Sequence, residues 1–176
     1  IGSWHYDRRV YDRGHYKSAK TVIHMLVDVV SKNGNLLLSV PMRGDGSVDH
    51  KARATVEGIA NWMQFNSEAI IGTRPWHTFG EGPAIAHAPE LHAQGFNEGR
   101  GKPLIAEDFR FTQKGKSLYA FVMGQPESNQ VKIQSLGTTS SKGLKVIKIE
   151  LLGYKKPLVF KQNADTLQIE WPQDAP

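Results

Sequence analysis

Residues 35–40 read Asn-Leu-Leu-Leu-Ser-Val and are followed by Pro41. Apolar side chains at consecutive positions would put both faces of a strand under cover, the habit of parallel sheets sandwiched between helices. Pro41 withholds a backbone donor and ends the pairing. The flanks fit that setting. Ala19, Val22, Ile23, Leu26, Val27 and Val30 recur at helical spacing behind Ser18, a suitable N-cap, and Gly34 closes the helix. After a Gly44-Asp45-Gly46 turn, Asp49 is placed to cap a second helix with Ala52, Val56, Ile59, Ala60 and Met63 on one face. One strand of this kind cannot satisfy its own backbone groups. Helix, strand and helix are therefore expected to be a fragment of an α/β domain with more parallel strands upstream. On this reading the chain, which opens at Ile1, is the carboxyl-terminal portion of a larger protein.

The pattern changes near Gly72. Residues 73–102 are rich in Gly, Pro and His and keep no period, which predicts a long surface connection. From Asp108 the alternation has a period of two, in DFRFTQ, SLYAFVM, VKIQSL, LKVIKIEL, LVFKQ and LQIEWP. Turn signals separate these runs at Lys114-Gly115-Lys116, Gln125-Pro126, Gly137, Gly153 and Asn163-Ala164-Asp165. Short strands at this spacing predict an antiparallel β-sandwich. The expected organisation is α/β plus all-β: residues 1–75 α/β, 76–107 a connection, and 108–176 the sandwich.

Composition removes several classes of function. The chain has no cysteine, so disulfides, thiolate metal sites and a cysteine nucleophile are excluded. Its net charge of +5 comes without a basic block of the kind that marks a nucleic-acid arm. The lysines from Lys142 onward alternate with apolar residues and read as the wet face of a sheet. No apolar run approaches the ~18 residues of a membrane span. The densest histidine cluster, His87, Glu90 and His92, lacks the helical His-Glu-x-x-His spacing and holds Pro89, so no metal site is expected. Arg43-Gly44-Asp45 has the letters of an adhesion tag. Its position at the carboxyl end of a parallel strand, where α/β folds place binding loops, is the more specific fact. Asp7 and Asp12 are expected to pair with Arg8 and Arg13 in a loop.

Four stretches in series carry a resemblance. GSWHY (residues 2–6), LVDVVSKNGNLLLSVPMRGDGSVD (26–49), NSEAIIGTRPW (66–76) and DFRFTQKGKSLYAFVMG (108–124) closely resemble the carboxyl-terminal half of α-L-fucosidases of glycoside hydrolase family 29. The resemblance implies a (β/α)8-like catalytic barrel followed by a β-sandwich. This chain would hold the last α-β-α segment of the barrel and then the sandwich. It also implies retaining hydrolysis of α-L-fucosides, which needs a nucleophile and an acid/base carboxyl about 5–5.5 Å apart. In the family both lie upstream of the Ser-Trp-x-Tyr motif, so no catalytic residue is assigned within this chain. Trp4 and His5 are the expected substrate-binding residues. His5 stands where the family usually has Gly, and Ser39 where it usually has Asn. No cofactor or metal is implied. The expected partners are a fucosylated oligosaccharide or glycoconjugate and the amino-terminal remainder of the same polypeptide, with no nucleic acid and no membrane span. Compartment stays open, the family being periplasmic, secreted or lysosomal. The alternative is a non-catalytic carbohydrate-binding or structural β-sandwich protein.

Overall fold

The computed structural model describes residues 1–88 and 102–175. The chain divides into two compact units, Ile1–Arg74 and Pro75–Pro176.

In the first unit α1 spans Arg8–Arg13, α2 Ala19–Ser31 and α3 His50–Asn66, followed by a 3-10 turn at Ser67–Ala69. The caps form as the sequence predicts. Ser18 Oγ accepts from Thr21 N at 3.1 Å, and Asp49 Oδ1 accepts from Lys51 N and Ala52 N at 2.9 and 3.0 Å. Helix α1 was expected to be a loop. Asp7 caps its first turn by accepting from Arg9 N at 2.8 Å, and Gly14 ends it in the left-handed region at φ 66°. With six residues and none of them buried, α1 carries no apolar period to detect. Helices α2 and α3 cross closely, because a Cβ on Gly58 would come within 2.6 Å of the Ala19 Cβ. The small core comprises Ile1, Val22 and Ala52, with Leu36, Leu38 and Val40 packed on it.

Residues 35–40 depart from expectation. They join no β-ladder among the described residues, and Leu37 is 85% exposed while Leu36 and Leu38 are partly covered. One face is thus dressed by the helices and the other is open. A parallel strand takes its hydrogen bonds from neighbouring strands, and none lies beside it among the described residues. The buried face of α3 is also shifted. Ala52 and Thr55 are the buried positions and Ile59 packs on the core, whereas Val56 and Ala60 are exposed.

Among its described residues the second unit holds two three-stranded sheets. Strands β1 (Arg74–Glu81), β2 (Phe109–Lys114) and β3 (Ser117–Val122) make one, in that spatial order. Strands β4 (Gln130–Ile133), β6 (Leu167–Glu170) and β5 (Phe160–Gln162) make the other. Pairs β2·β3, β4·β6 and β5·β6 are antiparallel. Trp76, Phe109 and Phe111 from one sheet share a core with Val131, Ile133, Leu167 and Ile169 from the other. This face-to-face core is the sandwich that the period-two runs predict.

Two strand assignments are corrected. Residues 74–81, read as the start of the connection, form β1, and a short helix α4 (Pro83–Ala86) follows. The inward positions of β1 are Trp76, Thr78 and Gly80, so its alternation is masked by a hydroxyl and a missing side chain. Gly80 is required there, since a Cβ would lie 2.4 Å from Phe109 O. Residues 144–151 were expected to be a strand and join no ladder. Their place is held by a side chain. Gln162 Nε2 donates to Leu144 O at 2.9 Å and Leu136 O at 2.8 Å, and its Oε1 accepts from Val146 N at 3.0 Å.

Candidate functional site

The segment bearing Trp4 and His5 is fastened to the segment that follows residues 35–38. The Ile1 amino group donates to Ser39 O, Ile1 O accepts from Lys17 N at 2.9 Å, and Ser39 Oγ reaches Trp4 O at 3.5 Å. That last contact sits at the long limit of hydrogen bonding. Both expected sugar-binding residues are exposed, Trp4 at 69%. The indole is therefore not part of this unit's core.

Arg43-Gly44-Asp45 closes a tight turn. Gly46 N donates to Arg43 O at 2.9 Å, Gly46 has φ 80°, and Ser47 N donates to Asp45 Oδ1 at 2.9 Å. Arg43 is half-buried, with its guanidinium 5.7 Å from the Tyr6 ring centre and 5.9 Å from that of Tyr11. A free adhesive arginine would reach into solvent. This one lies over two rings, where cation–π attraction holds it, and the Tyr6 hydroxyl helps keep its pKa above the ordinary value.

Tyr11 gathers the neighbouring groups. Its ring lies 6.4 Å from that of Tyr6 and edge-on to His50 at 5.5 Å. Lys51 Nζ sits 4.6 Å from the ring centre and donates to Tyr11 O at 2.6 Å. Beneath the cluster, Asp49 is fully buried and accepts from Tyr16 Oη at 2.8 Å. Burial pushes the Asp49 carboxyl up, but the bonds from Ala52 N, Tyr16 Oη and Lys51 N outweigh it and leave the pKa below the usual range. Tyr16 is raised to about 12 by burial first, then by the Asp49 carboxylate that its proton serves.

These shifts have opposite signs and define a window. The Asp49 contribution is present above the ordinary carboxylate range and is lost as pH falls. The Tyr16 contribution is complete below its ordinary value of 10.0 and is lost as pH rises through about 12. A tyrosinate absorbance titration of the protein should show a late step near pH 12 that disappears in Tyr16→Phe. Retention of that step in the variant would separate it from the Asp49 contact.

The carboxylates named from sequence are all engaged. Asp7 chelates Arg9 (2.8 and 3.1 Å), not Arg8 or Arg13, and its pKa is lowered to about 2 chiefly by that side-chain bond. Asp12 pairs with Arg8 at 3.6 Å one helical turn away. Asp45 serves its turn and Asp49 its cap. His87 follows α4, Glu90 and His92 lie outside the described residues, and no cluster of metal-binding side chains occurs among the described ones. Tyr11, Tyr16 and Lys51 escaped the sequence reading, and Tyr6 and Arg43 entered it only as members of GSWHY and of the Arg43-Gly44-Asp45 turn. Their one local signal was the Asp7 cap with Gly14 eight positions from Tyr6, which would have announced α1. The arrangement offers the exposed Trp4 indole, half-buried tyrosine rings, cationic donors and a capped turn.

The comparisons with known proteins agree in series. The family model described as Alpha-L-fucosidase matches residues 1–68, and that described as Alpha-L-fucosidase C-terminal domain matches residues 102–176. Tissue alpha-L-fucosidase of Homo sapiens is 26% identical over 175 residues, which cover 99% of this chain and 32% of that protein. The crystal structure of Thermotoga maritima alpha-fucosidase superposes with a TM-score of 0.74 at 26% identity, covering 99% of this chain and 35% of that one. The same enzyme in complex with fucose gives 0.69 at 25% identity, over 92% of this chain and 32% of that one. The chain thus spans about a third of the length of these relatives. With one family model on each unit and the partial barrel and sandwich in the expected order, the chain belongs to the α-L-fucosidase family, glycoside hydrolase family 29, as a carboxyl-terminal portion.

Proposed function

We propose that the complete protein is a retaining α-L-fucosidase that releases terminal α-L-fucosyl residues from glycans or glycoconjugates. The observation that carries this reading is the serial match of the two fucosidase family models to residues 1–68 and 102–176. The first unit contributes the end of the catalytic barrel, and the second, with β1 in one of its sheets, the sandwich. Leu37, Met42, Phe65 and Ile71 each expose more than half of their surface. Such apolar exposure supports a barrel completed by the amino-terminal remainder. The resemblance to family 29 implies that the nucleophile and the acid/base carboxyl lie in that remainder, and within the first unit Asp7, Asp12, Asp45 and Asp49 serve caps, a turn and ion pairs. Trp4 and His5 then stand at the rim of the sugar pocket. Among the described residues no helix is long and apolar enough to cross a membrane.

The test uses the complete protein and an aryl α-L-fucoside followed by proton NMR. Retention requires α-fucose as the first product, with the β-anomer arising later by mutarotation. Residues 1–176 alone are expected to release none. Absence of turnover by the complete protein would favour the non-catalytic sandwich. Initial release of β-fucose would exclude the double-displacement route, and turnover by residues 1–176 would refute the upstream placement of the chemistry.

A further inference from the structure

The chain's positive charge is not spread over it. Residues 142–161 hold six lysines and one glutamate, a net +5 equal to that of the whole chain, while the rest carries sixteen basic and sixteen acidic residues. Read from sequence, this segment is a wet sheet face. Its exposed side is more mixed than that, because Ile147 is 87% and Val159 61% exposed among the lysines. Within the segment a shallow cleft of about 230 Å³ is lined by Lys148, Glu150, Tyr154, Lys155, Lys156 and Pro157.

The cleft is ordered by its own contacts. Gly153, at φ 82°, turns the chain, and Tyr154 N donates to Leu151 O at 2.9 Å. Tyr154 Oη donates to Asp174 Oδ1 at 2.8 Å, and Lys156 Nζ donates to Oδ2 of the same carboxylate at 2.9 Å. The phenol ring is thereby fixed, with Lys156 Nζ 5.5 Å from its centre. Lys148 is paired with Glu150 at 2.7 Å on an exposed surface, where such a pair is weak enough to open to a ligand anion. Lys155 has no ion-pair partner among the described residues.

We propose that this cleft binds an anionic saccharide, a sulfated or carboxylated unit of the glycan presented to the enzyme. The proposal rests on the fucosidase reading for the identity of that glycan. A fixed aromatic ring gives the apolar face of a pyranose its stacking surface, and the lysines meet its charge. Glu150, set among the lysines of the lining, favours a saccharide, since its carboxylate can accept from the ring hydroxyls that stand between a glycan's charged groups.

The test measures binding of a fluorescent heparin hexasaccharide and of a neutral dextran hexasaccharide to the complete protein at low salt. Heparin hexasaccharide is expected to bind and dextran not. Lys148→Gln/Lys155→Gln/Lys156→Gln should weaken binding by about tenfold or more, and Tyr154→Ala by about tenfold at unchanged net charge. Lys155→Gln alone, which breaks no contact, should weaken it by about threefold if the triple variant does not fold. A control with the same change in charge, Lys20→Gln/Arg53→Gln/Lys116→Gln, should retain parental affinity. Equal loss in the control, or an indifferent Tyr154→Ala, overturns the site in favour of diffuse charge. Capture by phosphatidylserine vesicles that depends on Ile147 overturns it in favour of a membrane surface. Hydrolysis of an aryl α-L-fucoside is read on the same sample. Turnover without heparin binding removes the cleft and leaves the enzyme, and binding without turnover does the reverse.

Discussion

Asp49→Ala is expected to destabilise the complete protein by about 3 kcal/mol, the sum of a lost helix cap (~0.5–2 kcal/mol) and a stranded hydroxyl (~1–3 kcal/mol). The carboxylate is fully buried and has no redundancy. Its Oδ1 accepts from Lys51 N and Ala52 N, and its Oδ2 from Tyr16. Alanine would free the first turn of α3 and leave the Tyr16 hydroxyl without its acceptor. Asn is a good cap but its amide nitrogen cannot accept from Tyr16, so Asp49→Asn should cost about half as much. Urea midpoints at constant m, with the order parent, Asn, Ala, check the assignment. A midpoint for Asp49→Ala within error of the parent would show that solvent replaces the carboxylate at no cost.

Trp4→Ala should act on turnover instead. Fucose lacks the C6 hydroxyl of other hexoses, and an indole can give its methyl group an apolar wall with few rotamers to freeze. A contact of that size discriminates by ~1–3 kcal/mol, so kcat/KM for an aryl fucoside should fall roughly 10–200-fold in the complete enzyme. The melting temperature should move little, because Trp4 is 69% exposed in its own unit. The converse result, a large drop in melting temperature with normal kinetics in the folded fraction, would mean that the indole is packed beneath the barrel by upstream residues. The Ser39 contact bears on this. With a 3.5 Å reach to Trp4 O, serine tethers the loop loosely.

What sequence could reveal followed the range of the interaction. Caps are local, and Ser18 and Asp49 announced α2 and α3 correctly. The sandwich strands β2 to β6 repeat every two residues and were equally visible. Strand β1 was hidden because its inward side is Trp76, Thr78 and Gly80, where the close approach of Phe109 O requires glycine at the last position and only Trp76 carries the apolar signal. Residues 144–151 have a strand's alternation, yet the partner that completes a ladder is a property of distant chain. The Tyr11 cluster was beyond reach for the same reason. Arg43, His50 and Lys51 return to Tyr6 and Tyr11 from some forty residues away, and no spacing within either segment records the meeting.

The amide of Gln162 also makes this part of the sandwich sensitive to a single chemical change. A ladder of peptide bonds endures as long as the chain does, whereas a side-chain amide can hydrolyse with every backbone bond intact. Conversion of Gln162 to glutamate would exchange the Nε2 donor for an oxygen, so that lone pairs would face the carbonyls of Leu136 and Leu144 where protons had bridged them. Only the acceptor toward Val146 N would survive. Loosening of the segment that carries the lysine cleft would then begin with the ageing of one side chain, before any denaturant or heat is applied.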